Sequence, residues 1–334
     1  MGIENVFRFL EEKGVEAPSV DMNLVQDVEV DLLALNFSYI RATHQNILYR
    51  EFRKSPSARD TPIAPSTASS KLVQAVHRKL LQTFRPNAST RIHVDGYPTA
   101  QKKKGRENRQ KQRAEGAATL SDLAHQIEQI ADSATSTSVN PRAQKRRLIR
   151  SARKARTSWA KARVIDTATR ESLARGLREF GWTVCRCVGE ADVCIANTAH
   201  QSPDNIVVAS SDSDHLFHGA KTLLRQDPRT RSFTTYDIQK VQETLEVNQE
   251  QWAVAAVVTN NDYTKQVRGQ TFAKNLDLVR DCDAPDRQGI LDQYCVRLVE
   301  DAHRYGPAMD IFFNRVETIE DAATSNDRNL AMPH

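Results

Sequence analysis

Long hydrophobic runs are missing from this chain. The longest, "WAVAAVV" at 252–258, falls far short of the ~20 residues that cross a bilayer, so no membrane span is expected. The N-terminus, "MGIENVFRFLEEKG", carries acids where a signal peptide needs a cationic start and an apolar stretch. Position 6 is Val6, where a myristoylation signal needs Ser or Thr. Cysteine is scarce and odd in number, with five in the chain, which argues against a disulfide framework. Cys185, Cys187 and Cys194 form C-x-C-x6-C. No second cysteine pair and no suitably placed histidine accompany them, so reduced, packed thiols are expected rather than a zinc site. These absences point to an intracellular protein, with nucleus and cytoplasm undecided and no membrane partner.

What is present is unevenly spread. The net charge of +5 conceals a basic block at 101–163, which holds 17 Lys/Arg against 5 Asp/Glu and leaves the remainder at −7. Within it, "RAQKRRLIRSARKARTSWAKAR" contains no acid. Such a block suggests a polyanionic partner, and the acidic remainder needs its own explanation.

Strand-like and helix-like stretches alternate. "VEVDLLALN" (28–36) reads as a strand with a helix behind it, and "STRIHVDG" as a second strand after the helix "KLVQAVHRKLLQTFRP". The loop at 55–70 between them is rich in Pro and Ser. "ESLARGLREFG" is a helix ended by Gly181, "WTVCRCV" a strand, "EADVCIANTAH" a helix and "NIVVASSD" a strand. "TLLRQ" is a further strand, and "VNQEQWAVAAVVTNNDY" an apolar helix reaching Asp262. The alternation implies an α/β fold with a mostly parallel central sheet flanked by helices, whose sites form beyond the carboxyl ends of the strands.

Acids recur at those ends. Asp95 closes "RIHVDG", Glu190 and Asp192 open a helix after a strand, Asp212 and Asp214 follow "IVVASS", and Asp262 ends the apolar helix. Two like charges about 4 Å apart repel by roughly 4 kcal/mol at an effective dielectric of 20. Oxygen-preferring divalent cations remove that repulsion, and carboxylates with few histidines suit Mg²⁺ or Mn²⁺ better than Zn²⁺.

From Met1 to about Val279, the chain resembles the flap endonuclease/XPG-like 5′ nucleases, relatives of the Xrn exoribonucleases with a PIN-like fold. "MGI" is similar to the family's start, and "HVDGYPTAQKKKGRENR" to its D-G-x-x-P-x-x-K signature. "GLREFGWTVCRCVGEADVCIA", "VASSDSDHLFHGAKTLLR" and "NNDYTKQVRGQTFAKNLDLV" follow in the family's order. The resemblance implies a nuclease domain split over 1–100 and 166–265, a basic helical arch at 101–165, a helix–turn–helix-like part at 266–321 and a mobile tail at 322–334. It implies two metal ions held by Asp95, Glu190, Asp192, Asp212, Asp214 and Asp262. It also implies that Lys102 and Arg109 grip the scissile phosphate. Lys103, Lys104, Arg106, Arg146, Arg147, Arg150, Arg153 and Lys154 are the expected nucleic-acid contacts in the arch.

Three departures stand out. The family's first strand ends in an Asp that opens the next helix, and the alignment puts Asn36 there, a degenerate metal position that would weaken one ion. Asp31 lies five residues upstream, toward the other end of the expected strand. The family's G-x-G-P hairpin reads "GQTF" at 269–272, which tilts the expected substrate from duplex toward single strands or RNA. The family's stacking residue falls near Ala42, and neither Tyr39 nor His44 matches it. The expectation is a divalent-metal-dependent 5′ nuclease acting on single-stranded or flap-like RNA or DNA. The alternative is a weakened or inactive nuclease fold that binds RNA and partner proteins.

Overall fold

A computed structural model describes residues 3, 5–25, 27–54, 65–86, 89–96, 165–187, 189–201, 206–227, 230–259, 261 and 263–312, with scattered helical positions between 107 and 154. The chain divides into two compact units. One comprises 1–40, 69–102 and 167–334, the other 41–68 and 103–166. In the second unit the described positions between 107 and 154 are helical and nearly all exposed, among them Arg146, Arg147, Arg150 and Lys154.

The first unit is built on a sheet of seven described strands: β1 (Ser19–Val20), β2 (Val28–Asp31), β3 (Thr90–Val94), β4 (Thr183–Arg186), β5 (Val207–Ala209), β6 (Thr222–Gln226) and β7 (Phe233–Asp237). Their order is β1-β7-β6-β5-β2-β3-β4. The five strands from β4 to β6 run parallel, while β7 and β1 close one edge antiparallel. All four residues of β2 are buried, as a central parallel strand covered on both faces requires.

Helix α1 (Val6–Glu12) precedes the sheet, and α2 (Leu32–Lys54) and α3 (Pro65–Leu80) connect β2 to β3. α4 (Thr167–Glu179) leads into β4, and α5 (Ala191–Gln201) connects β4 to β5. After β7 come α6 (Ile238–Leu245), α7 (Gln249–Val258), α8 (Phe272–Arg280), α9 (Arg287–Leu298) and α10 (Gly306–Phe312). α7 is apolar all round and lies at the centre of the core, every side chain from Trp252 to Val258 being buried. It is started by a capping box, with Asn248 accepting from the Gln251 N–H and the Gln251 side chain accepting from the Asn248 N–H. No helix among the described residues is long and apolar enough to cross a membrane.

Two expected elements change. The strand expected over 28–36 stops at Asp31, and Leu32 begins α2. The Asp31 Oδ1 accepts the Ala34 N–H at 2.9 Å and so caps the helix start. Leu32, Leu33, Asn36 and Ile40 are buried at helical spacing, which the run "LLALNFSYI" satisfies as well as it satisfies a strand. The apolar helix likewise ends at Val258 rather than Asp262. There Asn261 Nδ2 donates to the carbonyls of Ala256 and Val257 and closes the last turn.

Candidate metal centre

The sheet order carries a switch point. From β2 the chain moves to β3 and β4 on one side, then returns to β5 and β6 on the other. In open parallel sheets that is where a crevice forms beyond the carboxyl ends. Asp31 ends β2, Asp95 directly follows β3, and Asp212 and Asp214 follow β5. Glu190 and Asp192 sit at the start of α5, after β4.

Asp31, and not Asn36, therefore stands at the carboxyl end of β2. It is 5 % exposed. Its Oδ2 lies 3.2 Å from His215 Nε2 and accepts from Ser210 Oγ at 3.4 Å. Asn36 stands more than a turn into α2, buried, and its Nδ2 has no hydrogen-bond partner among the described residues. The misplacement came from the strand's length: ending β2 five residues earlier brings Asp31 to the carboxyl edge.

The other acids are held by specific donors. Asp95 Oδ1 accepts the Ala191 N–H at 3.0 Å, and Arg170 stands 3.9 Å from its Oδ2. Asp212 Oδ1 accepts the Asp214 N–H at 3.2 Å, and Ser210 Oγ accepts the Asp212 N–H at 3.0 Å. Asp214, 2 % exposed, accepts the Ile3 N–H at 3.0 Å. Tyr263 donates its hydroxyl to Glu190 Oε2 at 2.8 Å, and His218 Nε2 lies 3.9 Å from Asp192 Oδ2.

Electrostatics tie these groups together. Burial, then the Asp31 charge, pushes the Asp95 carboxyl up, with the Glu190 charge adding to both. Burial also pushes Asp212 up, helped by Asp31 and opposed by His215. Burial favours a neutral His215, but its hydrogen bond to Asp31 and the charges of Asp31, Asp192 and Asp212 outweigh that and raise its pKa. Tyr263 is held protonated by burial and by the charges of Asp192 and Glu190. These are buried carboxylates that feel one another, with His215 and Arg170 as partial counter-charge. An all-oxygen donor set suits a hard divalent cation, although among the described residues no three of these carboxylates bring their oxygens within 4.8 Å of one another.

Asp262, Lys102, Lys103, Lys104, Arg106, Arg109 and Arg153 lie outside the described residues. Tyr39, near the expected stacking position, donates its hydroxyl to the Ala75 carbonyl at 3.2 Å. His215 and His218 had no part in the sequence reading. The signal was their position inside "DSDHLFHG", directly after the acidic pair. The cysteines, read as lacking a histidine, have one: His93 lies against Cys187 and Cys194.

The sheet order and its switch point give the chain the fold seen in flap endonuclease-1. The chain is similar over 93 % of its length to flap endonuclease-1 from Methanococcus jannaschii, covering 84 % of that chain at 15 % identity with a TM-score of 0.53. It also aligns with human GEN1 in complex with Holliday junction DNA, at 13 % identity and a TM-score of 0.49, over 96 % of this chain and 69 % of that one. By sequence, 129 residues are 28 % identical to a probable flap endonuclease 1 homolog from Danio rerio. That match spans 37 % of this chain and 37 % of the relative's length. No family model matches the chain.

Proposed function

We propose that this protein is a divalent-metal-dependent 5′ nuclease that cleaves phosphodiester bonds in single-stranded or flap-like nucleic acid. What supports the reading is that Asp31, Asp95, Asp212 and Asp214 follow the carboxyl ends of neighbouring parallel strands, with Glu190 and Asp192 at the start of α5, and that the charges of Asp31 and Glu190 act on Asp95 and that of Asp31 on Asp212. These six residues, joined by Asp262 on the strength of the sequence motif, would hold Mg²⁺ or Mn²⁺. Bound there, the ions supply an activated water and charge neutralisation at the scissile phosphate. The chain's own groups prepare the site. The Ala191 N–H fixes Asp95, Tyr263 orients Glu190, and Ile3 fixes Asp214. Ser210 bridges Asp31 and the Asp212 backbone. Lys102 and Arg109 are assigned to the phosphate by their place in the motif, and the basic segment at 101–163 to a single strand, with RNA preferred to duplex DNA.

The test is digestion of 5′-labelled RNA, single-stranded DNA and flapped DNA with Mn²⁺ or with chelator, beside Asp212→Ala. Cleavage by the wild type that needs the metal and is lost in the variant is expected. Equal product from both proteins would defeat the reading.

The second reading, nucleic-acid binding with cleavage lost, keeps one support. At 269–272 the backbone is committed to starting α8. Gly269 has φ +84° and its carbonyl accepts Lys274 Nζ at 3.0 Å, while Thr271 caps the helix through the Lys274 N–H. A turn used this way offers little backbone to a duplex. Tight RNA binding by a wild type inert under every metal would favour this reading.

A further inference from the structure

Behind the row of carboxylates lies a second polar cluster that the nuclease reading does not use. His93 in β3, Cys187 just after β4 and Cys194 in α5 each offer one ligand atom, and all three atoms lie within 4.8 Å of one another. Cys187 Sγ is 3.7 Å from His93 Nδ1. His93 and Cys187 are 1 % and 4 % exposed. In tetrahedral zinc sites, bonds of about 2.3 Å to sulfur and 2.0–2.1 Å to nitrogen place neighbouring ligand atoms roughly 3.5–3.8 Å apart, which the Cys187–His93 distance matches.

The other side of the imidazole is equally ordered. His93 Nε2 is hydrogen-bonded to Glu29 Oε2, while Glu29 Oε1 pairs with Arg91 at 3.2 Å. Both oxygens of Glu29, itself 2 % exposed, are thus engaged, and its role is to orient the ring. A carboxylate on one ring nitrogen leaves the other as the lone-pair donor, the arrangement that metal-ligating histidines adopt. Here that donor, Nδ1, faces the two thiols. A buried sheet–helix interface is ordinarily filled by Val, Ile and Leu. An imidazole and a carboxylate in that space carry a desolvation cost that packing alone gives no reason to bear.

We propose that His93, Cys187 and Cys194 form a structural Zn²⁺ site, with Glu29 as the residue that positions His93. The mixed nitrogen and sulfur set suits Zn²⁺ and not the hard ions expected at the carboxylates. Cys185 is a further thiol that interacts with Cys194. It is level with His93 across the β3–β4 ladder, so its side chain leaves the sheet on the same face as the imidazole. The site would join β3, the end of β4 and α5, the segments that carry Asp95, Glu190 and Asp192. The proposal stands whether or not the protein cleaves nucleic acid.

Cobalt substitution tests it on the whole chain. Purified protein is reduced, freed of metal, and titrated with Co²⁺ in excess Mg²⁺. One equivalent should produce a sulfur-to-cobalt charge-transfer band in the near ultraviolet, which oxygen ligands at the carboxylate site do not produce. Zn²⁺ should abolish the band and raise the melting temperature. In Cys194→Ser the band should be lost or weakened and the Zn²⁺-dependent rise in melting temperature should disappear. Intensity matching two or three thiolates supports the site. Absence of the band in folded, reduced wild type overturns the proposal without recourse to any variant. So does a band unchanged in Cys194→Ser.

Discussion

Asp31 uses its two carboxylate oxygens for different ends. Oδ1 caps α2 through the Ala34 N–H, and Oδ2 meets His215 and Ser210 at the carboxyl end of β2. Asp31→Asn retains an oxygen for the cap and removes the charge. Single-turnover cleavage under saturating Mn²⁺ should fall about 100-fold or more, the scale of losing an important metal-site group, while the urea midpoint shifts little. Asn36→Asp should do the reverse. It places an unpaired charge at a helical position that is 7 % exposed, and the folded state should lose several kcal/mol with no gain in cleavage. A gain in metal-dependent cleavage from Asn36→Asp would return the missing first acid to position 36 and undo the assignment of Asp31.

The elements that carry the site are held by close packing, and α4 shows how close. A Cβ built on Gly176 would stand 2.6 Å from Val73 Cγ1 and 2.8 Å from Cγ2. In an open helix, Gly→Ala gains about 1 kcal/mol. Here the β-branched Val73 of α3 has little freedom to move aside, so Gly176→Ala should cost roughly 1–3 kcal/mol, read as a lower urea midpoint at unchanged slope. Stabilisation would show that the two helices do not approach this tightly. Element order was largely legible in the chain because periodicity and punctuation agreed for β3, α4, β4, α5 and β5. Acids at element ends were legible for the same reason. The end of β2 was not, since a short apolar run such as "DLLAL" suits strand and helix alike and only packing of Leu32, Leu33 and Ile40 into the core decides between them. The β1–β7 edge was missed because "FTTYD" is short and mixed, and its partner is two residues long. His93 was invisible as a partner of the cysteines because parallel pairing, which sequence spacing does not report, brings β3 beside β4.

Across the whole molecule, charge is sorted between segments. The block at 101–163 is at +12 and the remainder at −7, so a polyanion is drawn to one part of the chain and repelled by another unless cations intervene. Arg146, Arg150 and Lys154 recur every four residues at described helical positions, with Arg147 beside them, and all four are exposed. Their segment, 142–163, contains no acid to neutralise them. Were they to contact phosphates, as proposed, their energetic role would be counterion release, which gives a salt slope near −0.7 per phosphate contact on single strands. Changing the four to Gln should therefore flatten the plot of log binding constant against log salt by up to roughly 3 units. The loss should be similar for different sequences, because phosphate contacts carry no base information. Fluorescence anisotropy with labelled single-stranded RNA, with chelator present to prevent cleavage, gives the slope directly. If these side chains grip the strand, the variant and wild type should differ most at low salt and converge as salt rises. An unchanged slope would show that they face solvent in the complex and that the polyanion is held elsewhere on the molecule.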